Sequence, residues 1–148
     1  MNLIRVTKEF HFEMAHALYG YDGPCKNIHG HSYSLSITVT GKVNNSKQSP
    51  KNGMVVDFSD LKNMVQQNII NEFDHALLLN GKSPHKKFKN KENIFEKIVL
   101  VNFQPTCENL LITIAKKIST FLPATVKLHH VCLRETRTSY AEWFAEDN

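Results

Sequence analysis

Apolar residues fall on every second position in two stretches near the start of the chain. The first contains Phe10, Phe12, Met14 and His16. The second contains His31, Tyr33, Leu35, Ile37 and Val39, with Ser32, Ser34, Ser36, Thr38 and Thr40 between them. Successive strand side chains point to opposite faces, so each stretch reads as a strand with one buried face, the pattern of an antiparallel sheet. The period then changes to that of a helix. After a short extended lead-in from Gly53 to Phe58, Leu61, Met64, Val65, Ile69 and Phe73 form an apolar stripe over a helix from about Ser59 to Phe73, with Asp57 or Ser59 as its cap. A second helix is expected after Pro105-Thr106, where Thr106 can cap and Glu108 suits the first turn. Its buried face is Leu110, Leu111, Ile114, Ile118 and Phe121, and Pro123 closes it. Thr125 to Glu135 and Ser139 to Phe144 read as two final strands. Gly41 to Asn52 reads as a polar hairpin or loop, and Gly81 to Asn93 as a polar, lysine-rich stretch without regular structure. The order ββααββ predicts an α+β fold, with two helices on one face of a four-stranded antiparallel sheet.

At 148 residues and 41% hydrophobic, the chain can bury one sizeable core, so a single domain over 1–148 is expected. No run approaches the roughly 18 apolar residues of a membrane span. No signal peptide is evident after Met1. Cys25, Cys107 and Cys132 are too few and too scattered for a disulfide framework. Together these point to a cytoplasmic, reducing setting. The net charge of +4 favours anionic partners. Much of the excess lies in Lys82, Lys86, Lys87, Lys89, Lys91 and Lys97, read as decoration on a solvated loop.

The chemistry concentrates in His16, Cys25, His29 and His31. His29 and His31 lie two apart at the mouth of the second strand, so both project from one face. The histidines continue the apolar faces of their strands and sit at the ends of those faces, which places a metal at the rim of the core. Three neutral imidazoles are the ligand set of an open catalytic zinc site, with the fourth position left for water or substrate. Cys25 can complete a closed four-ligand structural site, or stand outside as a reactive thiol beside Lys26. Asp74-His75 reads equally as a helix-end cap with a surface imidazole, or as a proton relay in which the carboxylate fixes the tautomer of the base. Glu135 follows Arg134 at a strand end. It is either half of a surface ion pair or a buried acceptor for two parallel N–H donors, such as the edge of a pterin or guanine.

The motifs extend this pattern. They are Phe12-Glu13-Met14-Ala15-His16, Cys25-x-x-x-His29-Gly30-His31, Gly53-Met54-Val55-Val56-Asp57-Phe58-Ser59-Asp60-Leu61-Lys62, Phe73-Asp74-His75-Ala76-Leu77-Leu78-Leu79-Asn80, Pro105-Thr106-Cys107-Glu108-Asn109 and Leu133-Arg134-Glu135-Thr136. In this order and at these spacings the chain resembles the 6-pyruvoyltetrahydropterin synthase family. Its short interval from Cys25 to His29 is most similar to the bacterial 6-carboxytetrahydropterin synthase branch of the queuosine pathway. The resemblance implies zinc on His16, His29 and His31, Cys25 as catalytic thiolate, and Asp74 with His75 as a proton-transferring pair. It further implies that Glu135 anchors the pterin ring, with Thr106 contributing. The implied substrate is 7,8-dihydroneopterin triphosphate, whose side-chain hydroxyls the zinc would acidify. The implied products of the carboxy branch are 6-carboxy-5,6,7,8-tetrahydropterin, acetaldehyde and triphosphate. The implied architecture is the tunnelling fold, in which trimers close into a barrel and stack as a homohexamer with active sites between subunits. The lysine-rich stretch is longer than in compact members, and Cys107 reads as buried and non-catalytic.

Two other readings accompany this one. A pyruvoyl-type synthase would use the same zinc and thiol but keep the three-carbon side chain. A non-catalytic zinc-stabilised module would use Cys25 as fourth ligand. It has little support as a nucleic-acid binder, because the sequence lacks an aromatic-basic stripe for stacking bases. No membrane partner is expected.

Overall fold

The computed structural model describes residues 2–90 and 94–148. Strands β1 (Leu3–His16) and β2 (His29–Lys42) pair antiparallel over their whole length, from Leu3 opposite Lys42 to His16 opposite His29. This register brings the inward residues of both strands onto one face, where Phe10, Phe12, Met14, Tyr33, Leu35, Ile37 and Val39 are buried. It also sets His31 opposite Met14, so three histidines gather where the hairpin-like pair ends.

Beyond β2 the sheet continues antiparallel through β5 (Val126–Arg134) and β6 (Tyr140–Phe144). On the other side, β1 pairs in parallel with β3 (Ala76–Asn80), which in turn pairs in parallel with β4 (Ile98–Val101). The result is a six-stranded mixed sheet in the order β4-β3-β1-β2-β5-β6. The expected four-stranded antiparallel sheet is therefore corrected. Leu77, Leu78 and Leu79 are buried in succession, Leu78 in the main core and its two neighbours in a second cluster with Ala17, Phe88, Ile98 and Leu100. A strand covered on both faces shows no alternation, so its period carries no signal.

The helical stripes pack as their spacing requires. Helix α1 (Phe58–Val65) runs through a π-helical turn, Gln66–Ile70, into the short α2 (Asn71–Phe73). Asp57 caps it by accepting from the Ser59 backbone N–H at 2.8 Å and also pairs with Lys51. Helix α3 (Cys107–Phe121) is capped by the Thr106 hydroxyl oxygen, which accepts from the Asn109 N–H at 3.2 Å. Leu61, Val65, Ile69 and Phe73 join Leu110, Ile114 and Ile118 against the inward face of the sheet, with the Phe12 and Tyr33 rings stacked at 5.0 Å. Lys117 on α3 pairs with Glu72 on α2, tying the two helical units together.

Two further expectations change. The expected extended lead-in forms turns and bends from Gly53 to Asp57 and enters α1 at Phe58. Within the lysine-rich stretch, Pro84–Asn90 forms a 3-10 helix, and Phe88 packs on the second cluster. The apolar ring gives this polar segment a foothold that composition hides. Lys91 and Asn93, at the end of that stretch, lie outside the described residues. Among the described residues no helix is long and apolar enough to cross a membrane.

Candidate active site

His16 closes β1 on the core face and is only 2% exposed. Its Nδ1 lies 2.7 Å from the Pro105 carbonyl, and Nδ1 of His29 lies 2.8 Å from the Asn27 carbonyl. A ring nitrogen beside a carbonyl must donate, so both neutral rings carry their lone pair on Nε2. Those two Nε2 atoms are 3.1 Å apart. Two lone pairs at that distance repel unless a proton or a cation lies between them. The Nε2 of His31 is buried with no hydrogen-bond partner. Donor atoms of His16, His29 and His31 all lie within 4.8 Å of one another. A tetrahedral ion with Zn–N bonds of about 2.0–2.1 Å would hold nitrogens roughly 3.4 Å apart. The residues therefore fit a metal ion.

The electrostatics agree. Burial holds His16 below the ordinary histidine range, against the raising effect of the Pro105 carbonyl, and the neighbouring His29 lowers it further. Burial also lowers His31, against the pull of Glu135. Metal ligation needs the neutral ring, and these surroundings favour it. The carbonyl partners of His16 and His29 orient the rings as outer-shell groups do in metal sites.

Glu135 sits one residue beyond β5, and its Oε1 is 3.5 Å from Nε2 of both His16 and His31. The Tyr33 hydroxyl donates to the same oxygen at 3.1 Å. Arg134 takes no part. Its guanidinium lies over the Tyr140 ring at 4.2 Å and donates to the Arg137 carbonyl. Glu135 is thus turned inward to the histidines and is not the surface partner of an arginine. Burial and then Glu135 push the Tyr33 hydroxyl above its ordinary pKa, so it stays a donor. Burial pushes the Cys107 thiol up to about 12, which keeps it protonated. Cys107 accordingly has the environment of an inert, half-buried thiol.

Cys25 lies in a 3-10 turn, Pro24–Lys26, in the loop between β1 and β2, anchored by its carbonyl accepting from the Leu18 N–H at 3.0 Å. Its sulfur is not among the donor atoms that converge with the histidines. Thr106 is half-buried, and its oxygen is engaged in capping α3. Its preceding residue, Pro105, is the one that orients His16.

Asp74 and His75 are placed elsewhere. The Asp74 carboxylate accepts from the Glu13 N–H at 2.9 Å and lies 3.1 Å from His75 Nδ1. The Glu13 N–H, followed by His75 and Lys97, holds Asp74 below the usual carboxylate range. His75 has φ 59, a left-handed conformation uncommon outside glycine, and its N–H donates to the Glu13 carbonyl at 2.6 Å. The His75 ring is 76% exposed. It borders an open cleft with Glu13, Ala15, Gly30, His31 and Ser32. Neither Asp74 nor His75 is among the donor atoms that converge with His16, His29 and His31.

Sequence reasoning missed Tyr33, which reads as one more core aromatic, and the carbonyls of Pro105 and Asn27. Tyr33 carried a usable signal, because it lies two residues past His31 on the same strand face.

A family model for 6-pyruvoyl tetrahydropterin synthase matches residues 5–146. A Haemophilus influenzae protein named 6-carboxy-5,6,7,8-tetrahydropterin synthase is 32% identical over 143 residues, covering 95% of this chain and 99% of the relative. A protein of the same name from Rickettsia typhi is 30% identical over 144 residues, with 95% and 99% covered. Among solved structures, an uncharacterized protein of Wolinella succinogenes has a TM-score of 0.79 at 19% identity, covering 98% of this chain and 99% of that one. The 6-pyruvoyl tetrahydropterin synthase of Caenorhabditis elegans has a TM-score of 0.69 at 23% identity, covering 98% and 97%. At such identities the solved structures speak to the fold alone. With the family model spanning nearly every described residue and two full-length relatives agreeing with it, the chain belongs to the 6-pyruvoyl tetrahydropterin synthase family.

Proposed function

We propose that this protein converts 7,8-dihydroneopterin triphosphate and one water to 6-carboxy-5,6,7,8-tetrahydropterin, releasing acetaldehyde and triphosphate, as a zinc-dependent lyase of the queuosine pathway. The observation that carries the reading is the convergence of three imidazole Nε2 atoms beside the inward-turned Glu135 carboxylate. The names of the curated relatives select the carboxy product.

His16, His29 and His31 hold the zinc, which supplies Lewis acidity at the hydroxyls of the substrate side chain when bound. Glu135 receives the 2-amino group and adjacent ring N–H of the pterin, which point in parallel and match a carboxylate. Thr106 belongs to the same pocket through the turn that orients His16. Cys25 removes or returns a proton on one side of the substrate, and His75 does so on the other. Asp74 holds His75 at Nδ1, which leaves Nε2 as the outward proton-transfer atom.

Because Asp74 and His75 do not converge with the donor atoms of the histidines in their own chain, they serve the histidine site of a neighbouring chain. Strands β4 and β6 are the two edges of the sheet. An edge leaves backbone donors and acceptors unpaired, and pairing with further copies satisfies them. Trimers closing into a barrel, stacked in pairs as a homohexamer, are the assembly proposed here. The three free cysteines suit a cytoplasmic setting.

The test is product analysis. Zinc-loaded protein incubated with 7,8-dihydroneopterin triphosphate should yield acetaldehyde and 6-carboxy-5,6,7,8-tetrahydropterin in equal amounts. A product that keeps a three-carbon side chain, with no acetaldehyde, would overturn the carboxy assignment in favour of a pyruvoyl-type synthase.

A further inference from the structure

We infer that Tyr33 is a positioning residue for pterin recognition, acting through Glu135. The inference rests on Glu135 receiving the pterin ring. The Tyr33 side chain is fixed: it is 1% exposed, and its ring is stacked on Phe12 with an interplanar angle of 8°. Its hydroxyl therefore stands at one point and donates to Glu135 Oε1 at 3.1 Å. The other polar groups near that oxygen are Nε2 of His16 and His31, each at 3.5 Å. Nitrogens that ligate a metal have no proton to offer at Nε2, so a loaded site leaves Tyr33 as the hydroxyl donor that holds this carboxylate.

The geometry sets two possible uses for Glu135 against each other. A carboxylate so close to two metal ligands needs only a small rotation to reach the ion and fill the coordination position that an open site keeps free. The Tyr33 hydroxyl engages Oε1 and restrains that rotation, keeping the carboxylate available to the two N–H donors of the ring. The residue thus separates the pterin acceptor from the metal shell. Its hydroxyl has no packing duty, since a phenylalanine ring can make the same stack on Phe12.

The test is a double-mutant cycle on binding, read without turnover. Biopterin, a pterin lacking the triphosphate, is titrated into zinc-loaded wild type, Y33F, E135A and Y33F/E135A. Circular dichroism and metal content establish that each variant is folded and loaded. Glu135 keeps access to solvent, with its side chain 22% exposed, so Y33F does not strand a buried charge. E135A should lose most of the affinity, and Y33F should lose about tenfold, the effect of one hydrogen bond to a charged group. The double variant should match E135A alone, because Tyr33 acts through Glu135. In turnover, Y33F should raise KM more than it lowers kcat. In cobalt-substituted protein, Y33F should change the visible absorption as Glu135 moves onto the metal. If E135A keeps full affinity, the Glu135 assignment fails and this inference falls with it. If E135A loses affinity while Y33F does not, or if Y33F weakens binding equally in the E135A background, the positioning role alone is overturned.

Discussion

Nε2 of His16 faces Nε2 of His29 at 3.1 Å across the last paired rung of β1 and β2. The strand register puts the two backbones opposite each other, and the carbonyls of Pro105 and Asn27 turn both rings the same way. The close approach of two lone pairs is built in by groups remote from the metal itself, so the site is organised before an ion arrives.

The three ligands should differ in what their loss does to the fold. H29A and H31A should lose bound metal and activity with little change in melting temperature, since their rings are only half-buried. H16A should lose the metal and also destabilise the protein by about 1–3 kcal/mol, because the Pro105 carbonyl is left without its buried donor. Metal analysis beside thermal melts checks this. Stoichiometric metal in H29A and H31A would remove the site.

Cys25→Ala should retain zinc and pterin affinity while turnover falls by roughly 10²–10⁴, the range for loss of a general acid or base. Isothermal titration with biopterin, metal content and steady-state rates together test it. Loss of zinc would show that the thiol belongs to the metal shell.

A site assembled from Cys25 of one chain and His75 of its neighbour makes a prediction about mixed oligomers. C25A and H75A should each be inactive alone. Refolded together in equal amounts they should recover about a quarter of wild-type activity, because one site in four then takes an intact Cys25 and an intact His75 from different chains. No recovery would mean that both groups act within a single chain.

Asp74 also makes a prediction about acid stability. Its carboxyl is held below the ordinary value of 3.8, chiefly by the Glu13 N–H. The unfolded chain therefore binds a proton more readily than the folded one. Stability from this group is fully present above pH 3.8 and is lost as pH falls through the depressed folded value. D74N should have a shallower acid limb in a plot of melting temperature against pH. An unchanged acid limb would mean that the interaction with the Glu13 backbone contributes nothing.

The replacement Glu135→Gln should weaken biopterin binding almost as much as Glu135→Ala, with a cost of about 2–5 kcal/mol for loss of the charged partner. A glutamine offers one acceptor and one donor to a ring edge that presents two donors. Wild-type affinity in the Gln variant would remove Glu135 from the pocket.

The sequence made much of this arrangement legible, and the gaps have physical causes. The alternation from Phe10 to His16 and from His31 to Val39 gives both the strands and the shared face of the histidines, because each strand has one buried side. The helical stripes of Leu61–Phe73 and Leu110–Phe121 are legible for the same reason. Strands β3 and β4 escape notice because Leu77-Leu78-Leu79 and Ile98-Val99-Leu100-Val101 have apolar neighbours on both faces. The adjacency of Asp74 and His75 suggests a relay but says nothing of where the pair sits relative to the histidines. That depends on the parallel pairing of β1 with β3, a contact between distant parts of the chain. Tyr33 shows a related blind spot, since its ring is core and only its hydroxyl belongs to the site.

The proposed site is an open one, with three histidines on the metal and Cys25 outside the shell. X-ray absorption at the zinc edge of the loaded protein tests that directly. The expected shell is three imidazole nitrogens and one further light atom at about 2.0–2.1 Å, with no sulfur. A sulfur neighbour at about 2.3 Å would contradict it, making Cys25 the fourth ligand of a closed, structural site.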